Sequence, residues 1–490
     1  MRRCNSCLRM TGRKSWQSMN RSLPASLVER GDIDLDPQII ETYCRGGRGE
    51  KGSAMFVARP RTTQDASDII RACVEQGIQL VPQSARTGLV GASVPDSEGQ
   101  HAVLSLERMT GDFHLDRINR TVTCSAGVRL SDINTRLAPE ALCLPIDVGS
   151  DPCIGGMVAT NTGGSRLMRY GDVRRHVLGL TVVLGDSKGT IVRLGGALRK
   201  TATGPDWKQL FVGTGASFGV ITECTFNVEP TPKHRATALI ALPDESALPD
   251  LLLELERRFG SLLSALEFMS ANAMRAAHSH VPSLRKPFGG DLPDIALLVE
   301  LSCDWPLDEA DRSLDDMLIG GLVNIAESGA ANMADVVVGR AEEIWAIRHA
   351  LSEGVRKRGR LYAFDLSFRR GDVLRFRAAM KTQLAQLFPD IEICDFGHVG
   401  DGGIHFNLVD HIAVSDWSPD RERTIRDTVI KAAVEDFDGS YSAEHGIGPV
   451  NYRYFDTYAS AETRHFSAAL EAVTSGKRLG RVHFSPEQTQ

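Results

Sequence analysis

The chain has 490 residues, 42% hydrophobic and 24% charged, with 56 basic against 62 acidic side chains for a net charge of −6. That length exceeds what one hydrophobic core supports, so at least two domains are expected. The charges are well mixed and no apolar run approaches the ~20 residues of a membrane span, which argues against nucleic acid as the main partner and leaves membrane contact peripheral.

Residues 1–28 carry Arg2, Arg3, Arg9, Arg13, Lys14 and Arg21, several serines and no acid. This composition fits a mitochondrial transit peptide. The alternatives are a start at Met19 or a disordered basic tail, and 1–20 is set apart as tail or targeting segment. The ten cysteines are scattered, with Cys4 and Cys7 the only close pair. They read as thiols of a reducing compartment, the bacterial-type cytoplasm or alternatively the mitochondrial matrix.

A short strand is expected at 56–58, an amphipathic helix at 64–76, and a strand at 79–81 that enters the loop Pro82 to Ser93. Strands follow at 102–106 and 121–126, then a helix at 129–138. The stretch from Leu144 to Ser165 is dense in Gly, Ser, Thr and Asn, which suits an irregular loop passing close to a bulky hydrogen-bonding ligand. Strands at 177–184 and 190–194 read as a hairpin across Gly185 to Gly189. A second glycine turn, Gly213 to Gly219, precedes a strand from Val220, and Pro230 and Pro232 mark a boundary.

Beyond 236, helices at 246–259, 307–318, 340–358, 371–388 and 420–438 alternate with strands near 265–269, 296–302, 335–338, 361–368 and 391–396. That pattern predicts a sheet covered on one side by helices, with a further helix at 461–475. No G-x-G-x-x-G or Walker loop stands between a strand and a helix.

Two histidines flank a glycine turn in the run Phe396 to Asn407, and Ser442 to Gly448 adds Glu444 and His445. A turn at Gly400 to Gly403 places His398 opposite His405 and Val399 opposite Ile404, with Asn407 on the histidine face. Two imidazoles at that spacing, joined by a carboxylate from a second loop, make a divalent-metal site. Local sequence does not bring Glu444 to His398.

Together these motifs resemble the vanillyl-alcohol-oxidase-type (PCMH-type) FAD-binding superfamily, and within it the D-2-hydroxyacid dehydrogenase branch. The resemblance rests on Pro82 to Ser93, Pro145-Ile146-Asp147 through Gly164, Arg169 to Asp172, Gly219 to Thr222, Gly397 to Asn407 and Ser442 to Gly448. It implies an α+β fold: a two-subdomain FAD-binding domain over 48–232, a ferredoxin-like substrate cap over 236–435, and a segment 436–490 returning to the FAD domain. It also implies that Pro82, Ser84, Ala85, Arg86, Thr87, Gly88, Leu89 and Gly91 surround the FAD pyrophosphate. Pro145, Asp147, Ser150, Gly155, Gly156, Thr160, Asn161 and Gly164 would line the cofactor further along, with Gly219 and Ile221 near its ribityl–adenine part. Neither His nor Cys stands in the first loop, so the FAD is expected to be non-covalent.

By the same resemblance His398, His405 and Glu444 hold a divalent metal, zinc being the ion expected. His445 is the general base, Asn407 orients the substrate, and Arg348 binds its carboxylate. The implied reaction oxidises a small D-2-hydroxy acid, with electrons leaving to an electron-transfer flavoprotein, a quinone or a cytochrome, and a homodimer allowed for. The alternatives are a flavoprotein acting on another alcohol and a non-catalytic flavin-fold subunit. Departures are specific: Ser84-Ala85-Arg86 replaces a Gly-Gly-Asn type of run, Ala363 stands where a carboxylate-binding Lys is expected, and Gly403 replaces an Asn. One cation fewer weighs against a dicarboxylate substrate.

Overall fold

Residues 28–29, 32–308, 311–476 and 478–485 are described by the computed structural model; the segment 1–20, Cys4 and Cys7 lie outside them. The first sheet holds β1 (Ile33–Asp34), β2 (Val57–Ala58), β3 (Leu80–Gln83) and β4 (Ala102–Ser105) in the order β1-β2-β4-β3, with β2, β4 and β3 parallel. Parallel neighbours need a crossover, and α1 (Thr63–Glu75) provides it. Thr62 and Asp65 close its start as a capping box, and Ala66, Ile69, Ile70 and Cys73 form its buried stripe.

The second sheet is antiparallel, with β5 (Phe113–Asp116), β6 (Thr121–Ser125), β7 (Val177–Val183), β8 (Ile191–Gly195) and β9 (Val220–Asn227) in the order β5-β6-β9-β7-β8. The expected β7–β8 hairpin forms, and Asp186 accepts N–H bonds from Lys188 and Thr190 at 3.1 and 2.9 Å across its turn. The glycine-rich stretch 144–165 differs from expectation, because α2 (Ile154–Thr160) runs through it. Gly155 lets this helix lie against the end of β6: a Cβ there would stand 2.6 Å from Cβ of Ala126.

From residue 234 the chain builds one antiparallel sheet of β10 (His234–Leu242), β11 (Leu263–Ser270), β12 (Ile295–Cys303), β13 (Asp335–Gly339), β14 (Arg360–Ser367), β15 (Ile391–Ile393), β16 (Phe396–Gly397) and β17 (Gly403–Asp410). The order is β13-β10-β12-β11-β16-β17-β14, with β15 also on β17. Helices cover both faces, not one. Ala236, Ala238 and Ile240 of β10, with Leu266 and Phe268 of β11, face α4 (Leu248–Phe259), α6 (Leu314–Ser328) and α8 (Val373–Leu387). The intervening Leu239, Ala265 and Met269 face α5 (Ala271–His280) and α7 (Ala341–Arg356). The helix expected at 307–318 starts at Leu314, where the Ser313 side chain accepts the N–H of Asp316.

Alternation puts Glu267, Glu300, Asp365, His405 and Asn407 on the same face as Leu239 and Met269. Part of this face meets the N-terminal half. Arg166, just before α3 (Leu167–Tyr170), donates to both oxygens of the buried Glu300 at 2.8 and 3.0 Å and also pairs with Asp147. Ser264 and Trp345 donate to the same carboxylate at 2.7 and 2.8 Å. Arg169 reaches Ser302 Oγ at 2.8 Å. The chain end returns to the first sheet: Leu80 donates to the Arg478 carbonyl, Gly480 donates to that of Leu80, and Ser217 Oγ bonds Val482 O at 2.6 Å.

Candidate active site

A turn forms, but over 399–402 instead of Gly400 to Gly403, and its register differs from the one expected. Phe396, not His398, lies opposite His405. His398 sits inside the turn, where its carbonyl accepts the N–H groups of Asp401 at 3.1 Å and Gly403 at 3.0 Å. Gly402 explains the tighter loop: its φ is +99°, and a Cβ on it would stand 2.2 Å from the Phe368 carbonyl. The rings of His398 and His405 still meet, with centroids 5.2 Å apart at 80°. Replacing Gly402 with Ala is expected to add about 1–3 kcal/mol of backbone strain. It should lower the melting temperature and splay the two histidines, which differential scanning calorimetry and metal titration of the variant would show.

Glu444 arrives by a route the local sequence did not reveal. Beyond α9 (Pro419–Lys431), residues 440–445 run along the open edge of β14: Ser440 and Ser367 exchange backbone bonds, and Ala443 donates to the Asp365 carbonyl at 3.1 Å. The Asp365 carboxylate then accepts the backbone N–H groups of both Glu444 and His445, at 2.9 and 2.7 Å. One side chain therefore fixes the whole dipeptide. Glu444 Oε1 ends 3.7 Å from His398 Nε2 and 3.5 Å from His405 Nε2. The His445 ring stacks on His405 with centroids 5.6 Å apart, and its Nδ1 lies 3.5 Å from Asp365.

Asp365, His405, Glu444 and His445 each offer a ligand atom within 4.8 Å of the others. Glu444 and His405 thus belong both to this group and to the trio completed by His398. The electrostatics suit a cation. The neighbouring imidazoles hold the Glu444 carboxyl far below its ordinary range despite burial. Burial brings His405 down to about 4 against the pull of Glu444, with His398 and His445 adding to the effect, so its ring is neutral at pH 7. On the far side of His398, the buried Glu267 takes its Nδ1–H at 2.7 Å and the Nε–H of Arg348 at 2.6 Å. Burial raises the Glu267 carboxyl, but these two cations outweigh it and hold it at about 2.

Sequence reasoning missed Asp365 and Glu267. A charged residue inside the apolar strand Leu263–Ser270 is the signal that marks Glu267, since a buried charge survives only with partners.

Residues 54–195 match the FAD binding domain family, and 231–473 match the C-terminal domain of FAD linked oxidases. The mitochondrial D-2-hydroxyglutarate dehydrogenase of Arabidopsis thaliana is 30% identical over 431 residues, covering 88% of this chain and 74% of that protein. The Bos taurus enzyme of that name is 31% identical over 441 residues, covering 88% and 76%. That of Xanthomonas citri pv. viticola is 29% identical over 454, covering 91% of each. The chain belongs to the FAD-linked oxidoreductase family of the D-2-hydroxyglutarate dehydrogenases. Its fold is that of the PCMH-type flavoproteins. A 4-ethylphenol oxidase from Gulosibacter chungangensis superposes with a TM-score of 0.70 at 17% identity, over 97% of this chain and 98% of the other. p-Cresol methylhydroxylase superposes with 0.69 at 13% identity, over 94% of each.

The residues expected at the flavin of this FAD-dependent oxidoreductase fall into two groups. The loop of Ser84, Ala85, Arg86, Thr87, Gly88, Leu89 and Gly91 follows Pro82 at the end of β3 and meets the start of α2, where a Cβ on Gly156 would stand 2.9 Å from Ser84 Oγ. Gly164 (φ +151°) packs against Asp147, whose carbonyl would lie 2.6 Å from an added Cβ. Gly88, Gly149 and Gly215 face open space, leaving backbone approachable just before Ser150, in the 84–91 loop and in the 213–219 turn. Exposed glycine backbone of this kind suits a large anionic ligand held by main-chain groups.

Other side chains are engaged within the protein. Thr160 bonds the Gly156 carbonyl at 2.9 Å, and Asn161, left-handed at the end of α2, binds Asp172 at 2.7 Å. Ile221 is buried in the core of the second sheet, and Gly219 packs where a Cβ would meet Val182 at 2.5 Å. Pro145 lies in the segment leading to Asp147. Arg86 has a φ of +59° and binds the Thr42 carbonyl at 2.7 Å with its guanidinium 4.8 Å from the Tyr43 ring. Those contacts hold a left-handed conformation that an Asn adopts more readily.

Proposed function

We propose that this chain oxidises a D-2-hydroxy acid to its 2-oxo acid with non-covalent FAD and a divalent metal, zinc being expected. The observation that supports it most is Glu444 Oε1 within 3.7 and 3.5 Å of the two turn histidines, with His445 stacked beside them. His398, His405 and Glu444 would hold the metal. FAD, when bound, would supply the redox chemistry as hydride acceptor at N5, and a metal held there would polarise the substrate hydroxyl and lower its pKa.

The remaining work falls to the protein. His445 accepts the hydroxyl proton on its imidazole, and Asp365 holds that residue by its backbone N–H. Asn407, on the face of His405, orients the acid, and Arg348, anchored on Glu267, binds a carboxylate. Arg426 stands at the edge of β14, within 3.5 Å of the Ala363 carbonyl, but over the Tyr362 and Phe364 rings of the opposite face. The relatives' names favour D-2-hydroxyglutarate, and the cation missing at Ala363 favours monocarboxylates such as D-lactate. Electrons would pass on to an electron-transfer flavoprotein, a quinone or a cytochrome. A homodimer in the bacterial cytoplasm or the mitochondrial matrix is consistent with relatives of both origins.

The test is the visible spectrum of the purified protein under anaerobic addition of D-lactate, D-2-hydroxyglutarate and their L-isomers, before and after chelation. Flavin bands should bleach with a D-acid only, persist after chelation, and bleach again once zinc is restored. A yellow protein that bleaches equally well after chelation would remove the metal from the reading; one that no D-acid bleaches would remove the substrate class.

A further inference from the structure

Glu267 is a charge without an obvious reason for being where it is. It lies in the middle of β11 with Leu266 and Phe268 in the core beneath it and Ala265 and Met269 in the core above, and its side chain is 1% exposed. Burying a carboxylate costs several kcal/mol before its partners are counted. An apolar residue would serve the sheet at least as well, so the charge calls for a reason outside packing.

Its two oxygens are divided between two residues of different duty. Oε1 accepts His398 Nδ1–H at 2.7 Å, and Oε2 accepts Arg348 Nε–H at 2.6 Å. The first bond fixes the ring tautomer. With Nδ1–H engaged by Glu267, Nε2 is the nitrogen left to bind a metal, and Nε2 is the atom that faces Glu444. The second bond, with the Phe396 ring 4.9 Å from the guanidinium, sets where Arg348 stands. His398 comes from a loop and Arg348 from a helix, and a rigid strand residue is the part they share.

We infer that Glu267 is a positioning residue that couples metal retention at His398 to carboxylate binding at Arg348. This rests on the site reading proposed above. A glutamine at 267 keeps the shape but has one acceptor oxygen in place of two, so it satisfies His398 or Arg348 and not both.

The experiment compares holoenzyme of wild type and Glu267→Gln by two readouts: zinc affinity by competition with a chromophoric chelator, and KM for D-lactate and D-2-hydroxyglutarate with an acceptor dye. Zinc affinity is expected to fall roughly 10- to 100-fold, with KM raised, and adding Arg348→Ala should raise KM by less than it does in the wild type. Unchanged zinc affinity and KM, even with a lowered melting temperature, overturn the coupling. A wild type that binds no zinc overturns the site reading itself, and the coupling with it. Should the variant fail to fold, 15N spectra of histidine-labelled wild type decide the matter, with His398 assigned against His398→Gln. A proton retained on Nδ1 in the zinc-loaded protein is expected, and an unprotonated Nδ1 there overturns the inference.

Discussion

His405→Ala is expected to slow flavin bleaching by the productive D-acid about a thousand-fold while the protein stays yellow. His405 stands between both donor groupings: its Nε2 is 3.5 Å from Glu444, and its ring stacks on His445. Losing it removes a ligand and the support of the base together. The charge stabilisation that a metal supplies is several kcal/mol, and each ~1.4 kcal/mol is a factor of ten in rate. The glycine-rich segments expected at the flavin are built from other residues, so flavin content should not change. Stopped-flow absorbance under anaerobic conditions gives the rate, and metal analysis gives the ion content. A variant that bleaches at the wild-type rate would show that the imidazole cluster takes no part in turnover.

The second large effect concerns stability. Arg166→Met should leave Glu300 a buried carboxylate that keeps the hydrogen bonds of Ser264 and Trp345 but loses its paired cation, destabilising the protein by about 3–5 kcal/mol. For parts of this size that corresponds to a melting temperature lower by on the order of 10 °C. Changing Glu300 to Gln in the same background should recover most of the loss, because no charge then remains stranded. Acid should act in the same direction. Burial raises the Glu300 carboxyl, but Arg166 outweighs it and holds it below the ordinary 4.5. A depressed native value means that the stabilisation is complete above about pH 4.5 and fades as pH falls through the lower native value. Melting curves at pH 7, 5 and 3.5 should show a drop confined to the last, and smaller in the double variant.

Much of this architecture is legible in the sequence. The β7–β8 hairpin is written in Gly185 to Gly189 with Asp186 as its clasp, and α1 in Thr62, Asp65 and the spacing of Ile69, Ile70 and Cys73. The turn histidines are equally plain. What stays hidden are facts that depend on distant segments. The register of His398 is set by Gly402 against Phe368, the residue that follows β14. Glu444 reaches the imidazoles because Asp365 takes two backbone N–H groups, and no local pattern shows a carboxylate doing that. Of the second helical layer, α7 is legible at 340–358, whereas the alanine-rich α5 is not. The glycines of α2 read as loop punctuation, while in the fold Gly155 permits close packing.

The return of the chain end to the first sheet bears on when the protein can mature. Gln79 and Gly480, bonded at 2.8 Å, are 401 positions apart, and the strand they secure leads straight into the Pro82 to Gly91 loop. During synthesis that strand emerges early and waits for this neighbour until residue 480 has left the ribosome, 401 positions later. Closing so distant a pair is slow relative to local folding. The N-terminal half is therefore expected to remain unlatched until that segment docks, and acquisition of the flavin to follow the docking.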